Sequence, residues 1–168
     1  MFAAVAVALA VPWLTPVSFS FHAPGWQVGR SGTFYESVGR SHTRTPFSTA
    51  WAANVRCPTC GTSNPPNATL RRLPRYGIIV RASIQPPDPT GWPPRGLRLS
   101  RNYSLDAAHR FPCCEAARIG GGDWELYGFG PERAYSVVID VYWGSVPSEE
   151  MRQAAQRAIR SLRLPRVR

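Results

Sequence analysis

Few residues in this chain are of types that do chemistry, and the cysteines are the most constrained of them. Cys57, Cys60, Cys113 and Cys114 fall into two pairs, CPTC and an adjacent CC. Cys57-Pro58-Thr59-Cys60-Gly61 has the form of a zinc knuckle and the spacing of a thioredoxin-type redox centre. A structural zinc ion needs a second pair of ligands in tetrahedral geometry, and two adjacent cysteines present two sulfurs to one ion only with difficulty. A redox centre wants its first cysteine at a helix N-terminus, where the dipole lowers the thiol pKa. Gly61-Thr62-Ser63-Asn64-Pro65-Pro66 is a sequence that does not begin a helix. Disulfides are the favoured reading, since an even cysteine count suits an exported chain. A vicinal bond is strained. Closing the short CPTC loop restricts the unfolded chain by about 2 kcal/mol, against about 4 kcal/mol for a loop of roughly fifty residues. The expectation is therefore two long bridges joining the CPTC loop to the CC loop, with their connectivity open.

The histidines are His22, His42 and His109. His109 closes Asp106-Ala107-Ala108-His109 next to the CC pair, where it can serve as a metal ligand or a general base. No nucleophile is placed beside it by sequence, and a lone loop histidine is ordinarily solvated. Asp123 and Glu125 stand two apart, a spacing that puts both on one face of a strand. Paired carboxylates can do acid–base work, although a polar outer face is the commoner outcome. Gly120-Gly121-Gly122 lacks the strand–loop–helix context of a phosphate cradle. No residue is assigned as catalytic or as a metal ligand, and no cofactor is implied.

The formal charge of +10 comes from twenty basic residues, every one of them arginine. That bias matches the codon usage of a high-GC genome. The arginines are scattered and lack interleaved aromatics for stacking bases. No specific nucleic-acid partner is expected; charge alone speaks to solubility and non-specific contact.

Residues 1–14, MFAAVAVALAVPWL, carry no charge. As a helix they reach about 20 Å, short of the roughly 30 Å hydrocarbon core, and Pro12 interrupts them. This is the length of a signal-peptide apolar region, and Ala8-Leu9-Ala10 is an A-x-A cleavage pattern. A basic segment before it is missing. The division expected is 1–16 as a signal-peptide-like or anchor segment and 17–168 as a single α+β domain, working outside the cytoplasm, secreted or membrane-anchored. If retained, residues 1–14 would associate the chain with a membrane. The alternative is a buried first element of the domain.

Alternation and turn residues define the elements. Residues 17–21 read as a strand turned by Ala23-Pro24-Gly25-Trp26 into a return strand at Trp26. Thr33–Val38 and Thr49–Val55 are strands, and Asn67–Leu73 is a short helix stopped by Pro74. Tyr76–Ile84 is a continuous apolar run suited to a central strand. Five prolines make residues 85–96 an extended loop, Leu97–Leu99 a brief strand, and residues 102–122 irregular. Trp124–Phe129 and Ala134–Trp143 form a hairpin, the second with Tyr135, Val137, Ile139, Val141 and Trp143 on one face. Asp140, between them, must face outward or find a partner. Ser148 caps a helix with Glu149 and Glu150 in its first turn and an apolar stripe of Met151, Ala155, Ala158, Ile159 and Leu162. Strands followed by one packing helix imply α+β architecture, an antiparallel sheet with the C-terminal helix on one face.

Phe21-His22-Ala23-Pro24-Gly25-Trp26, Thr49–Val55, Thr69–Pro74, Gly77–Val80 and the terminal strand–helix together resemble a group of uncharacterised exported proteins of high-GC Gram-positive bacteria. The F-x-x-P-x-W string is also similar to PsbP-like domains. The resemblance implies an antiparallel sheet flanked by helices and an extracytoplasmic site of action. It implies no catalytic residue, and the CPTC and CC pairs depart from its pattern. The function expected is a non-catalytic binding or accessory domain at the cell envelope, its partner an unknown envelope protein or ligand. The alternatives are an envelope hydrolase using His109 with a nearby carboxylate, and a zinc-binding domain through the CPTC/CC cysteines.

Overall fold

The strand of strongest alternation sits inside the sheet. The computed structural model describes residues 19–31, 34–38, 43–60, 67–85, 102–111, 123–130 and 135–165. Ser136–Trp143 (β8) sends Val137, Ile139, Val141 and Trp143 to one side, all fully buried. It is hydrogen-bonded antiparallel to Asp123–Phe129 (β7) on one edge and to Ile78–Gln85 (β5) on the other. Thr43–Ala53 (β4) follows β5, and its two ends pair with Gln27–Arg30 (β2) and Phe34–Val38 (β3). His109–Phe111 (β6) closes the far edge against β7, giving the order β2-β4-β5-β8-β7-β6. Ser20–Phe21 (β1) and Leu162–Arg163 (β9) form a separate antiparallel pair. The α+β architecture with an antiparallel sheet and a C-terminal helix is as expected.

Each face of the sheet has its own cover. On the first, Glu149–Arg160 (α2) lays Ala155, Ala158 and Ile159 into a core with Val80, Ala82, Leu126, Ile139 and Trp143. Fully burying an isoleucine such as Ile159 is worth roughly 1.5–3 kcal/mol, and the alanines beside it add less, so this stripe holds the helix down. The Ser148 hydroxyl accepts from the Met151 amide at 3.2 Å, the N-cap read from sequence. On the second face, Asn67–Arg71 (α1), Leu73 and the CPTC turn cover Trp51, Ala53, Ile79 and Tyr142. Gly144 lets β8 leave the sheet under this cover; a Cβ there would collide with the Pro74 carbonyl oxygen.

Three expectations are corrected. Residues 20–21 and 27–30 do not pair with each other: the chain turns at Gly25, φ 76°, yet β1 joins β9 and β2 joins β4. Within residues 102–122, a 3-10 turn at Leu105–Ala107 and strand β6 are ordered, capped by Ser104 and by pairing to β7. The third correction is the crosslink. Cys57 and Cys60 are bonded, but to each other rather than across to the CC loop. The Cys60 amide donates to the Cys57 carbonyl at 3.4 Å, a turn that brings the two Cα atoms to 5.5 Å, inside the range a disulfide spans. Loop entropy compares unfolded chains only, and here folded geometry decides. Cys113 and Cys114, residues 1–16, the proline-rich loop beyond Gln85 and Leu97–Leu99 lie outside the described residues. Among the described residues, no helix is long and apolar enough to cross a membrane.

The local bond still constrains the chain. A Cys57→Ala/Cys60→Ala double variant is expected to lose about 2–3 kcal/mol, from the freed loop and from two emptied buried positions. Urea unfolding of the two proteins measures it, and a loss below about 0.5 kcal/mol would show that the turn holds itself without the bond.

Candidate functional site

Polar residues on the second face converge because of strand register. Arg81 on β5 lies opposite Asp140 on β8, Asp140 opposite Glu125 on β7, and Glu125 opposite His109 on β6. The next row on the same face sets Ile79 opposite Tyr142 and Tyr142 opposite Asp123. Directly opposed residues in antiparallel strands hold their Cβ atoms about 4.5–5.5 Å apart. Asp123, Glu125 and Asp140 accordingly bring carboxylate oxygens within 4.8 Å of one another.

These carboxylates are not a solvated outer face. Asp123 is 4% and Asp140 6% exposed, and Glu125 is half-buried. Arg81 Nε lies 3.1 Å from Asp140 Oδ2, an ion pair by distance that is not aligned as a hydrogen bond. The Tyr127 hydroxyl donates to Glu125 Oε2. Asp123 Oδ1 is buried without a hydrogen-bond partner among the described residues. Burial, with the Asp140 and Glu125 charges behind it, pushes the Asp123 carboxyl up to about 8 against the smaller pull of Arg81. Burial likewise raises Asp140, to about 6, while Arg81 holds it down and Glu125 pushes it up. The Tyr127 and Tyr142 hydroxyls are driven above their ordinary range, first by burial and then by the same carboxylates.

Two kinds of chemistry suit this arrangement. Carboxyls pushed to different pKa values can divide the roles of acid and base. Clustered carboxylates that outnumber their cationic partner can also hold a positively charged ligand.

Of the residues singled out in the sequence, Asp123 and Glu125 do share a face and are joined there by Asp140, whose partner is Arg81. His109 stands at the edge of the row, its ring edge-on to Tyr127 with centroids 6.0 Å apart. His22 is exposed and contributes its backbone amide to Ser161, while His42 lies outside the described residues. Cys57 and Cys60 belong to the covered, apolar half of the face. Arg81 was missed as a site residue. Its signal was legible: it is the one charge in an apolar central strand, as Asp140 is in its neighbour. A cavity of about 570 Å³ lies elsewhere, lined by Tyr103, Gln156, Ile159, Arg160, Leu162 and Leu164, and none of the carboxylates lines it. Comparison with known protein families, characterised proteins and solved structures finds no match for this chain.

Proposed function

We propose that this protein is an exported, non-catalytic binding domain of the cell envelope, and that it holds a small cationic ligand at the Asp123–Glu125–Asp140 cluster. The observation that carries the reading is the convergence of three carboxylates, two of them over nine-tenths buried, with the Arg81 guanidinium ion-paired to one of them. Taking such charges from water is costly unless a counter-charge is supplied. Binding is favoured over turnover in that the cavity of about 570 Å³ among the described residues is not lined by these groups, whereas catalytic sites ordinarily enclose their substrate. Export is supported by the apolar segment at residues 1–14 and is compatible with the Cys57–Cys60 disulfide.

Native mass spectrometry of the chain recovered from fractionated producing cells tests both halves. The expected result is protein in the envelope or medium fraction, trimmed near Ala10, with a cationic mass increment that acid strips. Intact chain in the cytosolic fraction overturns export, and a bare chain at neutral pH overturns the binding reading.

A hydrolytic reading has one observation in its favour, the register that sets His109 against Glu125 with Tyr127 beside both. It requires turnover of an ester, amide or glycoside that His109→Ala abolishes while the fold is retained.

A further inference from the structure

We infer that the ligand is a hard divalent cation of the Ca2+ or Mg2+ class, seated between β7 and β8 and bound by the side chains of Asp123, Glu125 and Asp140. This inference rests on the binding reading above and names its ligand.

Three features of the cluster point to a metal ion. The first is the donor set. All three side chains offer carboxylate oxygen, the ligand that Ca2+, Mg2+ and Mn2+ prefer over nitrogen or sulfur. Oxygens on opposite sides of a calcium ion, each about 2.3–2.6 Å from it, stand roughly 4.6–5.2 Å apart. The three carboxylates lie within 4.8 Å of one another, close enough to share one ion. The second is independent of the clustering. Asp123 is 4% exposed, and its Oδ1 has no hydrogen-bond partner among the described residues. A buried acidic oxygen that has lost water and gained no donor calls for a partner, and an ion is one that suits it. The third is charge. With Arg81 ion-paired to Asp140, the three carboxylates, once ionised by an incoming cation, leave an excess of two negative charges, which one divalent ion cancels.

The surrounding groups are arranged as supports for such a site. Arg81 engages Asp140 Oδ2, and Tyr127 engages Glu125 Oε2, so each of these carboxylates is oriented from one side. Partners of this kind fix ligand geometry and are worth about 10- to 100-fold in metal affinity. Arg81 and Tyr127 are positioning residues. The ligands come from two hydrogen-bonded strands rather than from a loop, so they are held before the ion arrives. An organic ammonium fits less well, since the buried Asp123 and Asp140 would have to admit its carbon substituents.

Terbium(III), an oxygen-seeking stand-in for calcium, tests the inference on the full chain. Tyr127 and Tyr142 border the cluster and should transfer excitation to the bound ion. The expected result is sensitised emission that saturates at one ion per chain, is displaced by Ca2+ or Mg2+, and needs at least tenfold more terbium in Glu125→Gln. Glu149→Gln, on the exposed face of α2, should leave the titration unchanged. Circular dichroism confirms that each variant is folded. Should Glu125→Gln not fold, wild-type protein decides alone: Ca2+ or Mg2+ at about a hundredfold over its dissociation constant should raise Tm by several degrees. No saturable emission, a titration indifferent to Glu125→Gln, or no thermal shift overturns the metal inference. A spermidine-induced shift without any metal effect also overturns it, yet leaves the cationic-ligand reading standing.

Discussion

Replacing Arg81 with methionine is expected to destabilise the metal-free protein by about 3–5 kcal/mol at pH 8, the cost of stranding buried charge. Methionine preserves most of the aliphatic length of arginine, so the loss comes from charge rather than from a cavity. Arg81 sits on the central strand β5 with its side chain 12% exposed, opposite Asp140 at 8%. Without the guanidinium, Asp140 and Glu125 face each other across β7 and β8, with Asp123 one row away, and their mutual repulsion is no longer offset from β5. The same variant should be hurt less at pH 5, where the carboxyls can take up protons and shed their charge. A second substitution sharpens the test. Arg81→Met/Asp140→Leu removes both partners, and replacing a buried ion pair by apolar groups of similar volume is often neutral. The double variant should recover most of the loss. Urea unfolding of the single and double variants at both pH values measures this. Equal destabilisation at pH 5 and pH 8, or no recovery in the double, would mean that Arg81 acts through packing.

Much of the fold could be read from residues whose neighbours lie close in sequence. The α2 helix carries its own cap, charge bias and stripe, so Ser148, Ala155, Ala158 and Ile159 announce it without reference to anything distant. The β7–β8 hairpin is likewise local. The failures concern partners far along the chain. Nothing in Ser20-Phe21 or Gln27–Arg30 reveals that one joins Leu162–Arg163 and the other the end of β4. The cysteines were misread for a different reason. Entropy favours the longer crosslink, but a turn held by the Cys60 amide and by the Cys57 amide's bond to Gln27 had already placed the shorter one. The candidate site stands between these cases. Asp123 and Glu125 share a face by the period of two, yet their convergence with Asp140 and Arg81 depends on the register of three strands, and a one-residue slip would turn any of them to the other side. What could be read was the anomaly itself: one charge inside each of two apolar central strands, each requiring a partner of opposite sign.

The metal-free protein is expected to lose stability as pH rises, the reverse of ordinary acid denaturation. The folded chain raises Asp123 from 3.8 to about 8, so between those limits it retains a proton that the unfolded chain has released. Where the native state binds more protons, stability falls with increasing pH. Asp140, raised to about 6, adds to the slope over the lower half of the window. Each pH step of one across which the folded chain holds one extra proton removes about 1.4 kcal/mol, so Asp123 alone accounts for a decline on the order of 5 kcal/mol from pH 4 to pH 8. It levels off once Asp123 is ionised in both states. The groups bearing on Asp123 are Asp140 and Tyr142 on β8, Arg81 on β5, and Glu125 and Tyr127 on its own strand, while its register partner on β6 is the uncharged Phe111. Glu149 behaves in the opposite sense. Its hydrogen bonds from Arg152 and Gln153 lower its pKa, so it matters only as pH drops below 4.5. Asp123→Asn keeps the shape and deletes the titration. Its melting temperature should therefore be nearly flat from pH 6 to pH 8 and should exceed that of the wild type at pH 8. Thermal unfolding of EDTA-treated protein at half-unit steps from pH 5 to pH 8.5 measures both curves. A wild type whose stability rises across that range, or an Asp123→Asn curve parallel to it, would place the Asp123 carboxylate in contact with water or with a cation of the chain itself.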